Sequence, residues 1–65
     1  MRLTEFWRRM DEYLGPQWSR SFAADVVLSE LHGRTIDQAL AQGEDAKEVW
    51  RALCRHDPRV PAHLR

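Results

Sequence analysis

The segment Ser21–Leu31, SFAADVVLSEL, constrains this chain most, because it is the only stretch that is apolar on more than one face. Wound as a helix, it spreads Phe22, Ala23, Ala24, Val26, Val27, Leu28 and Leu31 over most of its circumference. A helix that is apolar nearly all round is buried among other helices. The expected fold is therefore all-α: a small bundle of four short helices with this segment at its centre.

The flanking sequence divides at its Gly and Pro residues. Helix one is expected over Glu5–Leu14 with Thr4 as its N-cap. Leu3, Phe6, Trp7, Met10 and Leu14 form its apolar stripe, and Glu5, Arg8, Arg9, Asp11 and Glu12 its solvated face. Gly15-Pro16 ends it and opens helix two, expected over Pro16–Leu31, on which Trp18 and Phe22 meet helix one. His32-Gly33 stops helix two. Thr35-Ile36-Asp37-Gln38 is a capping box, which predicts a third helix over Ile36–Gln42 that buries Ile36, Ala39 and Leu40 and ends at Gly43. Asp45 caps a fourth helix from Ala46, with Ala46, Val49, Trp50 and Leu53 on its apolar face, closed by Asp57-Pro58. Residues 58–65 are a short C-terminal tail of a single domain, 1–65. Helices three and four form a helix-turn-helix-like hairpin.

Length and charge narrow the function classes. A chain of 65 residues buries only roughly 60% of its unfolded surface, which leaves little room for a walled substrate pocket. Three Trp, two Phe and one Tyr supply large packing units in place of metal or disulfide. The formal net charge is zero, which argues against a nonspecific polyanion binder. The charge is nonetheless uneven: +1 over residues 1–20, −4 over 21–45 and +3 over 46–65. The lone Cys54 forms no intrachain disulfide and suits a reducing compartment. No apolar run has the length of a signal peptide or of the roughly 20 residues that span a membrane. The expectation is a cytoplasmic protein with no membrane contact.

The sharpest pattern for function is Ile36–Arg55. A small residue at Ala39, Gly43 in the turn and an apolar anchor at Val49 meet the spacing of a helix-turn-helix. Lys47, Arg51 and Arg55 then repeat at i, i+4, i+8 on the outer side of helix four. Against DNA stand Gln42 and Glu44, where an apolar contact is usual, and the acids Glu44, Asp45 and Glu48, which repel phosphates. A packed helical hairpin with a solvated face is the preferred reading of the same pattern.

Other constellations carry less. Cys54-x-His56, with His32 and His63 elsewhere, lacks the paired spacing of a zinc site and the geometry of a nucleophile with its base, so no metal, cofactor or catalytic residue is assigned. The single glycines are helix stops and cradle no phosphate. Asp25, alone among apolar neighbours, is expected to be half-buried and to accept from Arg34 at the Gly33-Arg34-Thr35 turn, so that Asp25, Arg34 and Thr35 form a structural clamp. Trp7, Trp18 and Trp50 all lie on apolar stripes. If one indole is left at the surface, Trp50 beside Arg51 is the expected interface anchor.

The pieces Leu3-Thr4-Glu5-Phe6-Trp7, Gly15-Pro16, Ala24-Asp25-x-Val27-Leu28, Gly33-Arg34-Thr35, Ala39-Leu40-x-x-Gly43 and Val49-Trp50-Arg51-Ala52-x-Cys54 span nearly the whole chain. In order and spacing they resemble a small actinobacterial family of unknown function, often encoded near the recombinase RecA and its regulator. His32 departs from that pattern, where Gly is more typical. The resemblance implies a bacterial cytoplasmic protein and a setting near DNA repair, and it implies no activity.

The expected function is a non-enzymatic protein-interaction or regulatory module with a protein partner and no small-molecule substrate. Its expected surface is Lys47, Trp50, Arg51 and Arg55, joined by Arg8 and Arg9 of helix one. The alternative is a helix-turn-helix-like DNA-binding protein that uses the same stripe; a metal-binding module around Cys54 and His56 is a third.

Overall fold

The computed structural model describes residues 1–65. It contains α1 (Leu3–Leu14), α2 (Pro16–Asp25), β1 (Val27–Leu28), a 3-10 turn (Ser29–Leu31), β2 (Arg34–Thr35), α3 (Ile36–Ala41), α4 (Ala46–His56) and a C-terminal 3-10 turn (Ala62–Leu64). The chain is mostly helical with four α-helices. The expected elements need correction at the start of α1 and in the middle of the chain.

At the start, α1 begins at Leu3, before the expected Glu5. Its first helical bond runs from the Phe6 N–H to the Arg2 carbonyl, and Thr4 lies inside the first turn rather than capping it. Gly15 then serves two helices at once. With φ at +91° its N–H closes α1 on the Asp11 carbonyl, and its own carbonyl accepts from Trp18 and Ser19 to start α2. Pro16 at the first position of α2 loses no hydrogen bond there.

The larger correction concerns Ser21–Leu31, which is not one central helix. α2 ends at Asp25, and Val26 is already extended. Val27 and Leu28 pair antiparallel with Thr35 and Arg34, so the all-α expectation gives way to helices plus a two-stranded ladder. The physical reason is local. Two consecutive β-branched residues, Val26 and Val27, lose rotamer freedom in a helix and fit a pleated strand. Their faces alternate as a strand requires: Val27 is exposed and Leu28 fully buried. The connection folds through the 3-10 turn and two left-handed residues, His32 (φ 59°) and Gly33 (φ 77°).

The second half forms as the caps dictate. Thr35 accepts from the Gln38 N–H while the Gln38 side chain accepts from the Thr35 N–H, a complete capping box. Asp45 accepts from the Lys47 N–H at the start of α4. Between them the Glu44 N–H bonds to the Ala39 carbonyl across Gly43.

The core centres on α4, which supplies Val49, Trp50, Ala52 and Leu53 and packs on α1, α3, β1 and the first 3-10 turn. Phe6 and Met10 of α1, Ile36 and Ala39 of α3, and Leu28 and Leu31 complete it with Ala23 of α2. Phe6 meets Trp50 edge-on at 5.9 Å and Trp7 edge-on at 5.2 Å. The C-terminal residues are part of this core, since Val60 and Leu64 are buried. The Trp50 indole N–H donates to the Leu64 carbonyl at 2.7 Å. Trp50, expected on the apolar face of helix four and named as the anchor if one indole stayed at the surface, is 1% exposed; the indole left at the surface is Trp18, also expected on an apolar stripe, at 61%. No helix is long and apolar enough to cross a membrane.

Truncating a buried indole removes its transfer energy and leaves a cavity, so Trp50→Ala should cost about 3–5 kcal/mol. Trp18→Ala should stay within about 0.5 kcal/mol of the parent. Urea unfolding followed by far-UV circular dichroism measures both, and equal losses would refute this placement of the two indoles.

Candidate functional site

The outward side of α4 carries Lys47, Glu48, Arg51 and Arg55, all exposed, opposite Val49, Trp50 and Leu53. The three cations repeat once per helical turn, as the sequence spacing predicts. Where α4 meets the start of α1 and the end of the chain, an open cleft of about 340 Å3 forms. It is lined by Met1, Arg9, Lys47, Trp50, Arg51 and Arg65. Four of these six residues are cations.

Each cation is held differently. Arg9 donates through Nε to Glu5 at 2.7 Å and through Nη1 to the Leu64 carbonyl at 3.1 Å. Arg65 donates to two carbonyls, Val60 at 3.1 Å and Pro58 at 3.0 Å. A carbonyl orients a guanidinium without cancelling its charge, so Arg65 is positioned and remains fully cationic. Arg51 pairs with Glu48 at 3.3 Å, with both side chains more than half exposed, a contact of small worth. The Lys47 ammonium and the Arg55 guanidinium make no ion pair.

Of the expected surface, Lys47, Arg51 and Arg9 are brought together. Arg55 lies on the same side of α4 but outside the cleft. Arg8 does not belong: it bridges Glu5 at 2.8 Å and Glu12 at 3.2 Å on the far side of that network. Trp50 touches the cleft only as part of its floor. Sequence reasoning missed Met1 and Arg65. The signal for Arg65 was the apolar pair Val60 and Leu64, spaced to anchor the segment that carries it.

The expected clamp also needs correction. Asp25 is exposed and accepts no hydrogen bond, because α2 ends there and turns it to solvent. Arg34 instead donates to the Leu31 carbonyl at 2.9 Å and to Gln42 at 2.6 Å, and pairs with Glu44 at 3.4 Å. Arg34 and Thr35 therefore secure the turn without Asp25. Among the soft ligands, His56 lies 3.1 Å from Glu30 and His63 2.6 Å from Glu12. No three His, Cys, Asp or Glu side chains converge to hold a metal. Burial pushes the Cys54 thiol above its ordinary pKa, against the nearby Arg65, Arg9 and Arg55.

A family model described as a protein of unknown function, DUF3046, matches residues 1–63. No curated protein and no solved structure matches the chain.

Ion pairs and hydrogen bonds across the surface make the stability depend on pH. Hydrogen bonds from Arg8 and then Arg9 hold the Glu5 carboxyl at about 2, below its usual 4.5. Arg59, followed by Tyr13, depresses Asp57; His63 depresses Glu12. Groups with lowered pKa stabilise the fold above their unfolded values and lose that contribution as pH falls through the folded ones. Tyr13 runs the other way. Burial and its hydrogen bond to Asp57 raise it from 10.0 to about 12, a stabilisation present below the unfolded value and lost as pH rises between them. The melting temperature should fall below about pH 4.5 and again above about pH 10, and Tyr13→Phe should remove the upper part of the alkaline loss. An unchanged alkaline limb in Tyr13→Phe would show that the tyrosine does not set it.

Proposed function

The chain belongs to the DUF3046 family of proteins of unknown function, and we propose that it is a non-enzymatic interaction module that receives an acidic surface of a partner protein on α4. The observation that carries this reading is that Lys47, Arg51 and Arg55 line one exposed side of α4 while the fold uses none of them strongly. Cations spent on internal pairs, such as Arg8 and Arg34, are unavailable to a partner. Those on α4 are available.

The non-enzymatic part of the reading rests on the residues beside the cleft, which are cations with no nucleophile poised against a base. Cys54, the one thiol, is half-buried with a raised pKa, the condition of an inert cysteine. Cytoplasmic placement is part of the same proposal and is supported by that single free thiol.

DNA is the competing occupant, because α3 and α4 form a hairpin with Ala39 and Val49 buried at its crossing and Gly43 in the turn. Glu44, Asp45 and Glu48 at the leading end of α4 count against it, since a phosphate backbone laid along that end meets three carboxylates. A protein surface can place its acids beside the cations alone.

The test is capture from nuclease-treated lysate alongside anisotropy titration of a labelled duplex. The expected result is a captured protein that is lost when Lys47, Arg51 and Arg55 are all changed to Glu and kept in Trp18→Ala, with a flat DNA titration at low and physiological salt. Duplex binding that weakens steeply with salt and vanishes in the triple variant would overturn the reading in favour of DNA.

A further inference from the structure

We propose that the cleft between α1, α4 and the C-terminal segment is a binding site for a phosphate monoester, with Arg9, Lys47, Arg51 and Arg65 as its ligands. The proposal deepens the docking reading, on which it rests for the availability of Lys47 and Arg51, by naming the chemical group that the cleft takes.

The charge count selects the ligand. Four cations border one space of about 340 Å3. Arg9 is paired with Glu5, which also serves Arg8, and Arg51 is weakly paired with Glu48, whereas Lys47 and Arg65 pair with no acidic side chain. The cleft thus keeps a net positive charge, carried by Lys47 and Arg65. A single carboxylate brings one negative charge, whereas a phosphate monoester brings ≈ −1.5 to −2 with three strong acceptor oxygens in the same small volume. A nucleic-acid backbone spreads its charge along a groove instead of concentrating it at a point.

The geometry of the donors agrees with that choice. Arg65 is held from behind by the Val60 and Pro58 carbonyls and Arg9 by the Leu64 carbonyl, so two guanidinium groups are ordered before any ligand arrives. Guanidinium groups ordered in advance lose less entropy on binding, and each, with two of its five N–H donors engaged, keeps others for phosphate oxygens. Lys47 adds a mobile point charge with no competing ion pair. Trp50 closes the floor, and its indole N–H is already committed to Leu64, so it shapes the cleft without coordinating the anion.

Two sources present this group: a phosphorylated side chain on the partner, or a free phosphorylated small molecule. Titrations followed by amide and indole N–H shifts in two-dimensional NMR separate them. Inorganic phosphate should shift the Lys47 and Arg51 amides and the Trp50 indole resonance, while acetate at equal concentration does not. Lys47→Gln with Arg51→Gln, both exposed and safe for folding, should weaken phosphate by about tenfold or more, and Arg65→Gln by a comparable factor. A phosphoserine peptide that binds more tightly than a phosphorylated sugar assigns the group to a protein, and the reverse order assigns it to a small molecule.

Arg55→Glu separates the two proposals, because Arg55 belongs to the docking face and not to the cleft. Lost capture with phosphate binding retained supports both. Phosphate shifts without any captured partner overturn the docking reading alone. Capture without phosphate shifts, or equal shifts with acetate, overturns the phosphate site.

Discussion

The Leu64 carbonyl is the point on which the molecule depends. It accepts from the Trp50 indole N–H at 2.7 Å and from Arg9 at 3.1 Å, so one oxygen ties α4, α1 and the C-terminal turn together. An indole N–H taken out of water without an acceptor costs a lost hydrogen bond, and this acceptor arrives only when the last residues fold back. That return also seats Val60 and Leu64 in the core. With little apolar area to spare in so small a fold, residues 58–65 are part of the core and not a tail.

How far the sequence foretold this arrangement depended on the kind of signal. Gly15-Pro16, the Thr35–Gln38 capping box and the Asp45 cap are short-range chemistry whose partners lie within a few residues, and each formed where its residue types require. The middle of the chain is ambiguous in sequence because a run of apolar residues fits a buried helix and a buried strand equally. The deciding details were Val26 and Val27, β-branched and adjacent, followed by Ser29. The ladder they join depends on Arg34 and Thr35 returning at the right distance, a non-local condition that helical periodicity does not encode.

The candidate site divides along the same line. The i, i+4, i+8 cations of α4 were legible, since a helix fixes their common side. Which indole reaches solvent was not, because Trp18 and Trp50 sit on equally apolar stripes. Only the third dimension covers one and leaves most of the other in solvent: Phe6 and the Leu64 carbonyl cover Trp50, whereas Trp18 is exposed. Arg65 escaped notice for a related reason. Its place beside Arg9 and Lys47 follows from the burial of Leu64, a contact made from the end of the chain to α4. Asp25 failed as a clamp because its apolar sequence neighbours belong to two elements, α2 and β1, that turn their buried sides away from it.

A formal charge of zero conceals how charge is used. On α1, Glu5 and Glu12 are shared between Arg8, Arg9 and His63, and Arg34, just before α3, is absorbed by Gln42 and Glu44 just after it. The cations at α4 and the chain end are treated otherwise. Backbone carbonyls, which orient without neutralising, take the place of carboxylates around Arg65 and half of Arg9. The same carbonyls belong to the segment that covers Trp50. Folding the last residues therefore buries the core, satisfies the indole and sets two guanidinium groups at the cleft in a single step. The positive site is a consequence of how this small fold closes.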